Sequence, residues 1–456
     1  MRKNIALSAI VVGLMSTTNV FGAEDLSSMF SEGKVSGQIR EFSISRTMDY
    51  SNPTKDDYTR KANAIGGHIK YETGDLNGLS LGTAFYTTNG FLNDSSKTDY
   101  TKVDPTLLGV NNDAYSILGE AYLQYKSGNT IFKGGRQKLA TPLAGADDAR
   151  MLPNLFEAYL LINTDIADTT LIAGHVTKFA QGTFGRAYNG GFLAATAGYS
   201  ATDTRNQVGT FTNMGTYAIG QETNGVSVVS ATYTGVKNLK VQLWDYYAHD
   251  ILNAIYGQAD LSWKCMLSDN VKPFASAQFI KESAIGDKLA GTTDGMYWGV
   301  KAGASVGNFT GYIAYSKTSA NDSAADNSGS LNNAIVSPWG GMPAFTQGMV
   351  TRHMFLAGTS ASKLALVYNF KDLGLKAVAY YANFAMDDAL NTDGTSVNGY
   401  TYNDASETGF DFIYNTKFAK NLQLRLRGNF AKDFNVNATG DTVGWNEYRF
   451  IANYKF

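Results

Sequence analysis

The sequence has little charge and a single cysteine, and each shortage excludes a class of protein. Asp, Glu, Lys and Arg make up 17% of the 456 residues, whereas about a quarter is usual for soluble domains. The formal net charge of -2 gives no basic surface, so nucleic acid is not expected as a partner. Cys265 cannot form an intrachain disulfide, and we interpret it as a small apolar residue in a strand.

Long apolar runs are missing after the first 22 residues, which excludes transmembrane helices from the mature chain. Residues 1–22 begin with basic side chains, continue with an apolar run from Ile5 to Met15 and end in small residues. This order is typical of a secretory signal peptide. A membrane anchor is the alternative, but about 11 apolar residues are too few for a hydrocarbon core that needs roughly 20. We therefore predict a signal peptide over residues 1–22 and one mature domain over residues 23–456.

Apolar and aromatic residues alternate with polar ones along most of the chain. In the last nine residues every second position is apolar or aromatic, and the positions between them include Arg449 and Lys455. A strand of about 10 residues needs this alternation when one face meets lipid and the other meets water. An edge strand of a soluble sheet is the alternative. The terminal Phe456 also resembles the signal read by the outer-membrane barrel-assembly machinery, and the barrel would contact outer-membrane lipid and lipopolysaccharide.

Short turns and longer connections divide the chain into strands. Eight short turns contain the Asn, Asp and Gly that tight reversals need, and nine longer connections lie between them. With both termini on the short-turn side, these numbers require eighteen strands. We therefore predict an all-β, antiparallel transmembrane β-barrel with short periplasmic turns and long extracellular loops. Sixteen or twenty strands are alternatives, since residues 191–199 could form another strand and Lys133 and Arg136 have opposite phase. The predicted turns are residues 74–78, 126–130, 164–168, 235–238, 268–272, 306–308, 371–374 and 418–421, and the predicted loops are residues 47–62, 88–113, 139–153, 180–224, 249–252, 283–293, 319–360, 385–407 and 435–443.

Two segments of the chain carry recognisable motifs. Residues 134–178 read GGRQKLATPLAGADDARMLPNLFEAYLLINTDIADTTLIAGHVTK, and residues 238–261 read NLKVQLWDYYAHDILNAIYGQADL. Both segments resemble the OprD family of outer-membrane porins. The resemblance implies an eighteen-stranded porin with an inward-folded third loop, often trimeric, that passes small and often anionic solutes. The loops are more similar to those of porins from epsilon-type proteobacteria, including the Campylobacter major outer-membrane protein, so substrate choice is not carried over.

The third predicted loop is the first candidate for the narrowest part of the pore. The resemblance implies that residues 139–153 fold inward, where Asp147 and Asp148 would face Arg150 or a basic wall and set a transverse field. Apolar residues beside these charges favour a loop that packs on another surface. A solvated loop tip is the alternative. The candidate constriction residues are Thr141, Pro142, Asp147, Asp148 and Arg150.

A basic wall of the lumen is the second candidate. Arg or Lys at the lipid midplane costs roughly 2 to 4 kcal/mol, so the basic residues of the alternating strands are expected to face inward. The penultimate, last and first strands would be neighbours, and their guanidinium groups can bind carboxylates through bidentate contacts. Structural ion pairs, such as Arg449 with Glu447 or Arg40 with Glu41, are the alternative, and Lys70 and Lys240 have inward parity too. The candidate wall residues are Arg40, Arg425, Arg427, Arg449, Lys264 and Lys301.

Catalytic and metal-binding patterns are weak. Gly303–Gly307 matches G-x-S-x-G but falls at a predicted tight turn rather than at a strand-to-helix elbow. The four histidines show no metalloprotease spacing, and no cofactor is expected. Asp387, Asp388, Asn391 and Asp393 could offer oxygen ligands to Ca²⁺, with a hydrated loop as the alternative.

The sequence therefore favours a porin of a Gram-negative outer membrane, without enzymatic activity and expected to form a homotrimer. Its predicted role is passive diffusion of small hydrophilic solutes, with anions as the candidate preference. A substrate-specific channel is one alternative. An adhesin or structural barrel, whose loops at residues 180–224 and 319–360 bind other surfaces, is another.

Overall fold

The computed structural model describes residues 22–91, 102–187, 208–266, 268–319, 334–386, 404–436 and 441–456. These residues form an antiparallel sheet in which each strand pairs with its neighbours in sequence. The first strand, β1 (Lys34–Met48), also pairs with the last, β19 (Thr442–Lys455). This pairing closes an eighteen-stranded barrel, so the predicted fold class and strand number are confirmed.

The remaining strands follow in chain order. One of them, the two-residue strand β8, does not belong to the eighteen strands of the barrel wall. β8 pairs with the end of β7, whereas β7 and β9 pair directly in the wall. The strands are β2 Tyr58–Glu72, β3 Leu79–Gly90, β4 Tyr115–Ser127, β5 Thr130–Gln137, β6 Leu155–Asn163, β7 Thr169–Ala180, β8 Thr212–Asn213, β9 Val226–Tyr233, β10 Leu239–Ala248, β11 Leu252–Ser262, β12 Val271–Ala284, β13 Asp294–Val306, β14 Phe309–Thr318, β15 Ser360–Phe370, β16 Leu375–Ala385, β17 Ala405–Asn415 and β18 Leu422–Val436.

Helices are short and lie outside the wall strands. Among the described residues, the α-helices are α1 (Leu26–Ser31) and α2 (Met214–Ile219), and short 3₁₀ turns cover Pro105–Leu107, Val110–Asn112, Thr183–Ala187, His353–Phe355 and Lys371–Leu373. In the part of the chain that the structure describes, no helix is long and apolar enough to cross a membrane.

Eight short connections join the strands on the side of both termini, at the places that the sequence predicts. The backbone of Asn77 and Gly78 has positive φ (53° and 90°) in the turn between β2 and β3, and Asn421 has φ of 66° before β18. Asn and Gly adopt this left-handed region at little cost. Turn composition therefore marks the ends of the strands in the sequence.

The two faces of each strand differ in chemistry. In β18 Arg425 and Arg427 lie on one face, while Leu424 and Leu426 lie on the other, and Leu426 is 44% exposed. In β1 Phe42 is buried, whereas Ile39 is 51% exposed on the opposite face. Exposed apolar side chains on the outside and polar side chains on the inside are the arrangement of a membrane barrel.

The expectation that the basic residues of the strands face inward is wrong for Arg136 and Lys281. Lys133 lies inside, with its Nζ 3.7 Å from the Tyr122 ring centroid, whereas Arg136 has the outward parity of Phe132 and forms an ion pair with Glu157. The side chains of Lys133 and Arg136 therefore lie on opposite faces of the same strand. The outward charges that the simple parity rule misses also include Glu41, Asp245, Lys281 and Asp294.

The interior of the barrel is filled in part by two long connections. We define loop 3 as residues 138–154 and loop 7 as residues 319–359, described from residue 334. Leu143 of loop 3 and Trp339 of loop 7 are buried in the same apolar cluster as the inward side chains Trp244 and Tyr246 of β10. These loops narrow the space that the eighteen strands enclose.

Candidate functional site

Loop 3 is held against the wall and against loop 7 by backbone contacts. The Leu143 N–H donates to the Tyr246 hydroxyl of β10 at 3.3 Å. The Pro142 carbonyl accepts from the Met342 N–H of loop 7 at 2.9 Å. Thr141 closes the tip locally, since its hydroxyl donates to the Ala144 carbonyl at 2.6 Å. Thr141 thus shapes the loop through its hydroxyl, and Pro142 attaches the loop through its carbonyl group.

Arg150 anchors the charged end of loop 3 to β19. Its side chain is fully buried, and its Nη2 donates to both carboxylate oxygens of Glu447 at 2.9 Å. Glu447 also accepts from Trp445 Nε1 at 2.9 Å, and its Oε1 lies 2.8 Å from Arg449 Nε in a second ion pair. Removing one partner of a buried ion pair typically costs 3–5 kcal/mol. Arg150 therefore fixes the loop through Glu447, whereas Asp147 and Asp148 form ion pairs with other residues.

The two acidic residues of loop 3 have different basic partners. Asp148 Oδ1 lies 2.7 Å from Arg40 Nη1 of β1, and Arg40 Nε donates to Asn453 of β19 at 2.8 Å. Asp147 Oδ2 lies 3.4 Å from Arg352 Nη2 of loop 7. Arg40 thus pairs with Asp148 rather than with Glu41, which lies on the outward face of β1.

Loop 7 is attached to the wall through a carboxylate. Glu407 of β17 accepts hydrogen bonds from the backbone N–H groups of Val350 (3.2 Å) and Thr351 (2.8 Å), and from that of Met349. The Tyr380 hydroxyl of β16 donates to the same carboxylate. Successive N–H groups that converge on an anion form a compact anion-binding turn. Glu407 therefore fills a site that holds loop 7 in place.

Gly348→Ala is expected to detach this part of loop 7. A Cβ at Gly348 would lie 2.5 Å from the nearer carboxylate oxygen of Glu407, and a real Cβ does not approach an oxygen so closely. Gly311→Ala in β14 is the matched control, because its Cβ would meet only ordinary contacts at 3.4 Å. Single-channel recordings should show larger and noisier currents for Gly348→Ala than for Gly311→Ala. Identical traces for the two variants would contradict this role of Glu407.

A cavity of about 320 Å³ lies where the two loops face β15 to β19. Four basic and two acidic side chains line it, so its fixed charge is +2 when all six are ionised. Apolar groups such as Phe184, Met349 and Val378 complete the lining. The charged lining residues are Arg352, Lys363, Arg427, Arg449, Asp147 and Asp411.

The arginines of β18 share one carboxylate. Arg425 Nε donates to Asp411 Oδ1 at 2.7 Å, and Arg427 Nε lies 3.1 Å from Asp411 Oδ2. A single Asp411 leaves one of these two positive charges uncompensated. Arg449 is adjacent and donates to Asn429 at 2.6 Å. The ion pairs that were the alternative to a basic wall are therefore present among these arginines, and the role of the arginines in permeation stays a prediction.

The candidate wall residues divide into two groups. Arg40, Arg425, Arg427 and Arg449 lie on the adjacent strands β1, β18 and β19. Lys301 lies on β13 in a different part of the lumen, and Lys264 is exposed beyond the end of β11. Four further charged residues that line this cavity or hold loop 7 were not predicted from the sequence: Lys363, Arg352, Glu407 and Asp411. The inward parity of Lys363, Glu407 and Asp411 could have identified them, but Arg352 lies in a loop without a regular pattern.

His353 of loop 7 is a buried base that should make the docking of this loop depend on pH. Its ring lies between Phe384 and Phe434, with centroid distances of 5.9 and 5.5 Å. Burial lowers the pKa of His353 to about 4, whereas an unperturbed His has a pKa near 6.5. The folded protein favours the neutral form of His353. The contribution of His353 to the stability of the folded state is therefore complete above pH 6.5 and is lost as the pH falls towards 4.

Acidification should therefore destabilise the wild-type protein more than it destabilises the His353→Leu variant. The difference in unfolding free energy between pH 7 and pH 4 should be larger for the wild type by at most about 3 kcal/mol. Thermal unfolding in detergent at both pH values provides the measurement. Equal acid sensitivity of the two proteins would show that His353 does not contribute.

Metal ligands do not gather in the described residues. No group of three His, Cys, Asp or Glu side chains that could hold a metal is found there. His175 and His249, which are distant in sequence, lie with ring centroids 5.9 Å apart and both contact the Ser227 hydroxyl. The candidate Ca²⁺ ligands at positions 387, 388, 391 and 393 lie outside the described residues.

Comparisons with known proteins agree with this architecture. A model of the OprD family, described as outer membrane porin, matches residues 29–456. A search of curated proteins finds no match. Among solved structures, Pseudomonas aeruginosa OccK9 (OpdG) has a TM-score of 0.72 at 20% identity, and the match covers 94% of this chain and 99% of the OccK9 chain. Acinetobacter baumannii OccAB3 has a TM-score of 0.72 at 18% identity, with 94% and 100% covered. Pseudomonas aeruginosa OccK2 (OpdF) in complex with glucuronate has a TM-score of 0.68 at 16% identity, with 94% and 99% covered.

Proposed function

Because this chain belongs to the OprD family of outer membrane porins, we propose that it is a passive diffusion channel for small hydrophilic solutes with a preference for anions. The family consists of channels rather than enzymes, and its members reside in the outer membrane of Gram-negative bacteria. The observation that carries the proposed preference is the cavity between loops 3 and 7, whose lining has four basic and two acidic side chains. Fixed charge at the narrowest section selects among permeating ions.

Liposome swelling tests the proposal most simply. Vesicles that contain the purified protein should swell in sugars, amino acids and small carboxylates at rates that fall smoothly with solute size. Swelling restricted to one solute would instead support a substrate-specific channel. That second candidate is favoured by the similarity to OccK2, which was solved with glucuronate. No swelling with any solute would favour an adhesin or structural barrel.

The assembly state is a further part of the proposal, and we infer a homotrimer. Glu41 of β1 lies on the outward face of the barrel with Ile39, and within the described residues its carboxylate accepts a hydrogen bond from Ser43 Oγ at 2.7 Å and from no other side chain. A carboxylate that faces lipid is unfavourable, so contact between copies would stabilise this face. The mass of the detergent-solubilised protein distinguishes a trimer, which supports the inference, from a monomer, which contradicts it.

Export and insertion complete the proposal. The signal peptide over residues 1–22 would be removed during secretion, leaving residues 23–456 as the mature domain. β19 ends next to Phe456, which is 47% exposed at the short-turn side of the barrel, where the barrel-assembly machinery could bind it.

A further inference from the structure

Two of the four histidines lie close together on the outer surface of the barrel, near the long-loop ends of their strands. His175 of β7 is opposite Ser227 of β9. Ser227 is in turn opposite Tyr247 of β10, and His249 follows Tyr247 by two residues. Ser227 has the outward parity of Val229, which is 54% exposed. The two histidines and the serine are half-buried, so ions from the surrounding water can reach them.

Three donor atoms converge at this point. The Ser227 hydroxyl lies 3.1 Å from His175 Nδ1 and 3.0 Å from His249 Nε2. A tetrahedral zinc ion with Zn–N bonds of about 2.0–2.1 Å holds neighbouring ligand atoms about 3.3 Å apart. Both spacings are close to this value. Small rotations of the side chains would therefore place the two nitrogen atoms and the oxygen around one ion.

Both imidazole rings are oriented by other groups. The ring of His175 forms a hydrogen bond with the backbone of Asn224, and its Nε2 lies 3.3 Å from the position that a Cβ of Gly225 would take. Nδ1 is therefore the nitrogen that is left for a metal. The ring of His249 packs edge-on against Tyr247, with centroids 4.9 Å apart. A hydrogen bond on one ring nitrogen is the usual way in which a metal-binding imidazole is held in place.

The donor atoms determine which ion fits. Imidazole nitrogen suits zinc, copper and nickel, and among divalent ions such a site binds Cu²⁺ most tightly. Ca²⁺ and Mg²⁺ are bound by oxygen ligands, chiefly carboxylates. In the part of the chain that the structure describes, no Asp or Glu joins the two histidines to make a group of three such metal ligands. The donors therefore favour a transition-metal ion.

The level of the site in the membrane is compatible with an ion. Glu157 and Lys178, which is three residues further along β7, form an outward ion pair at 3.1 Å. Charges on the lipid face cost several kcal/mol at the midplane and little near the water interface. This ion pair therefore marks the interface. Asn224, which contacts His175, precedes β9 and is exposed.

We propose that His175, Ser227 and His249 form a binding site for a divalent transition-metal ion, with Cu²⁺ bound most tightly and Zn²⁺ less tightly. The two ring nitrogens and the hydroxyl oxygen are the protein ligands, and water completes the coordination. Both rings are neutral in the bound state, with the proton of His249 on Nδ1. The ion joins β7, β9 and β10 at their long-loop ends and stabilises this edge of the barrel. The site lies outside the lumen and does not depend on the proposed channel function.

Copper binding to the purified protein in detergent tests the proposal. The protein should lack a polyhistidine tag and carry Cys265→Ser, which removes its single thiol. Titration with CuCl₂ should show one bound Cu²⁺ per chain, and its electron paramagnetic resonance spectrum should show coupling to two imidazole nitrogens. ZnCl₂ should displace the copper at higher concentrations, whereas CaCl₂ should not displace it.

Histidine variants locate the bound copper. His175→Gln and His249→Gln should each weaken Cu²⁺ binding at least tenfold, since the loss of even an outer-shell partner typically costs about 10–100-fold in metal affinity. His68→Gln, which removes a histidine on the inward face of β2, is the matched control and should change the affinity less than about twofold. Far-UV circular dichroism shows whether each variant is folded.

Three results would overturn the site. These are no copper binding by the wild-type protein, displacement of the copper by CaCl₂, and unchanged affinity in both His175→Gln and His249→Gln. A measurement on the wild-type protein covers the case in which these variants do not fold. Cu²⁺ should protect His175 and His249 from modification by diethyl pyrocarbonate, as read by mass spectrometry, and equal modification with and without Cu²⁺ would also overturn the site.

Discussion

Replacing both Arg425 and Arg427 with glutamate is expected to change the channel from anion-selective to cation-selective. Arg427 lines the cavity between loops 3 and 7, whose lining carries a charge of +2 when its six charged side chains are ionised. Glutamate at position 427 lowers this charge to zero, and glutamate at position 425 adds a negative charge beside it. Asp411, which now neutralises part of both arginines, would become a third acidic group on the same wall.

The sign of the reversal potential in a KCl gradient measures this change. The Arg425→Gln/Arg427→Gln variant should give a reversal potential between those of the wild type and the glutamate variant. Such a value would show that the effect scales with the charge of the wall. Asp411→Asn is the control of opposite sign, because it frees both arginines and should increase the preference for chloride. Reversal potentials that stay the same in all three variants would remove the basic wall from the mechanism.

Deleting residues 144–150 is expected to cause the largest rise in conductance. This segment carries Asp147, Asp148 and Arg150, which tie loop 3 to loop 7, β1 and β19 across the lumen. The narrowest section limits the current through a pore, so single-channel conductance should roughly double when the segment is removed. Glu447 keeps Arg449 and Trp445 as partners, so the wall is expected to stay folded.

Asp147→Asn/Asp148→Asn separates the effect of charge from that of width. It keeps the length of loop 3, so its conductance should stay close to wild type while its preference for chloride increases. A deletion variant that folds and conducts like the wild type would show that loop 3 does not limit the pore.

The barrel could be predicted from the sequence because its determinants are local. In β18 arginine alternates with leucine, and this period fixes which face meets lipid. The turns are marked by residues that tolerate positive φ, such as Asn77 and Asn421. Strand number and order follow from these signals, since a closed meander pairs each strand with its neighbours in sequence.

The site could be predicted only in part, because its contacts join distant segments. Arg150 is charged in the sequence, but its pairing with Glu447 depends on how loop 3 crosses the lumen. Arg352 meets Asp147 only because loop 7 also folds inward. Lys264 could not be excluded from the wall, since its parity follows the pattern of β11 although the strand ends at Ser262.

Thiol modification of single cysteines tests most directly whether the barrel encloses a conducting column of water between the inward faces of its strands. In a Cys265→Ser background, Lys363→Cys and Arg427→Cys lie on the lumen face, and Leu364→Cys and Leu426→Cys lie on the lipid face of the same strands. A charged, water-soluble methanethiosulfonate should reduce the current of the first two variants in discrete steps and leave the other two unchanged. Equal responses on both faces, or no conductance before modification, would contradict the account.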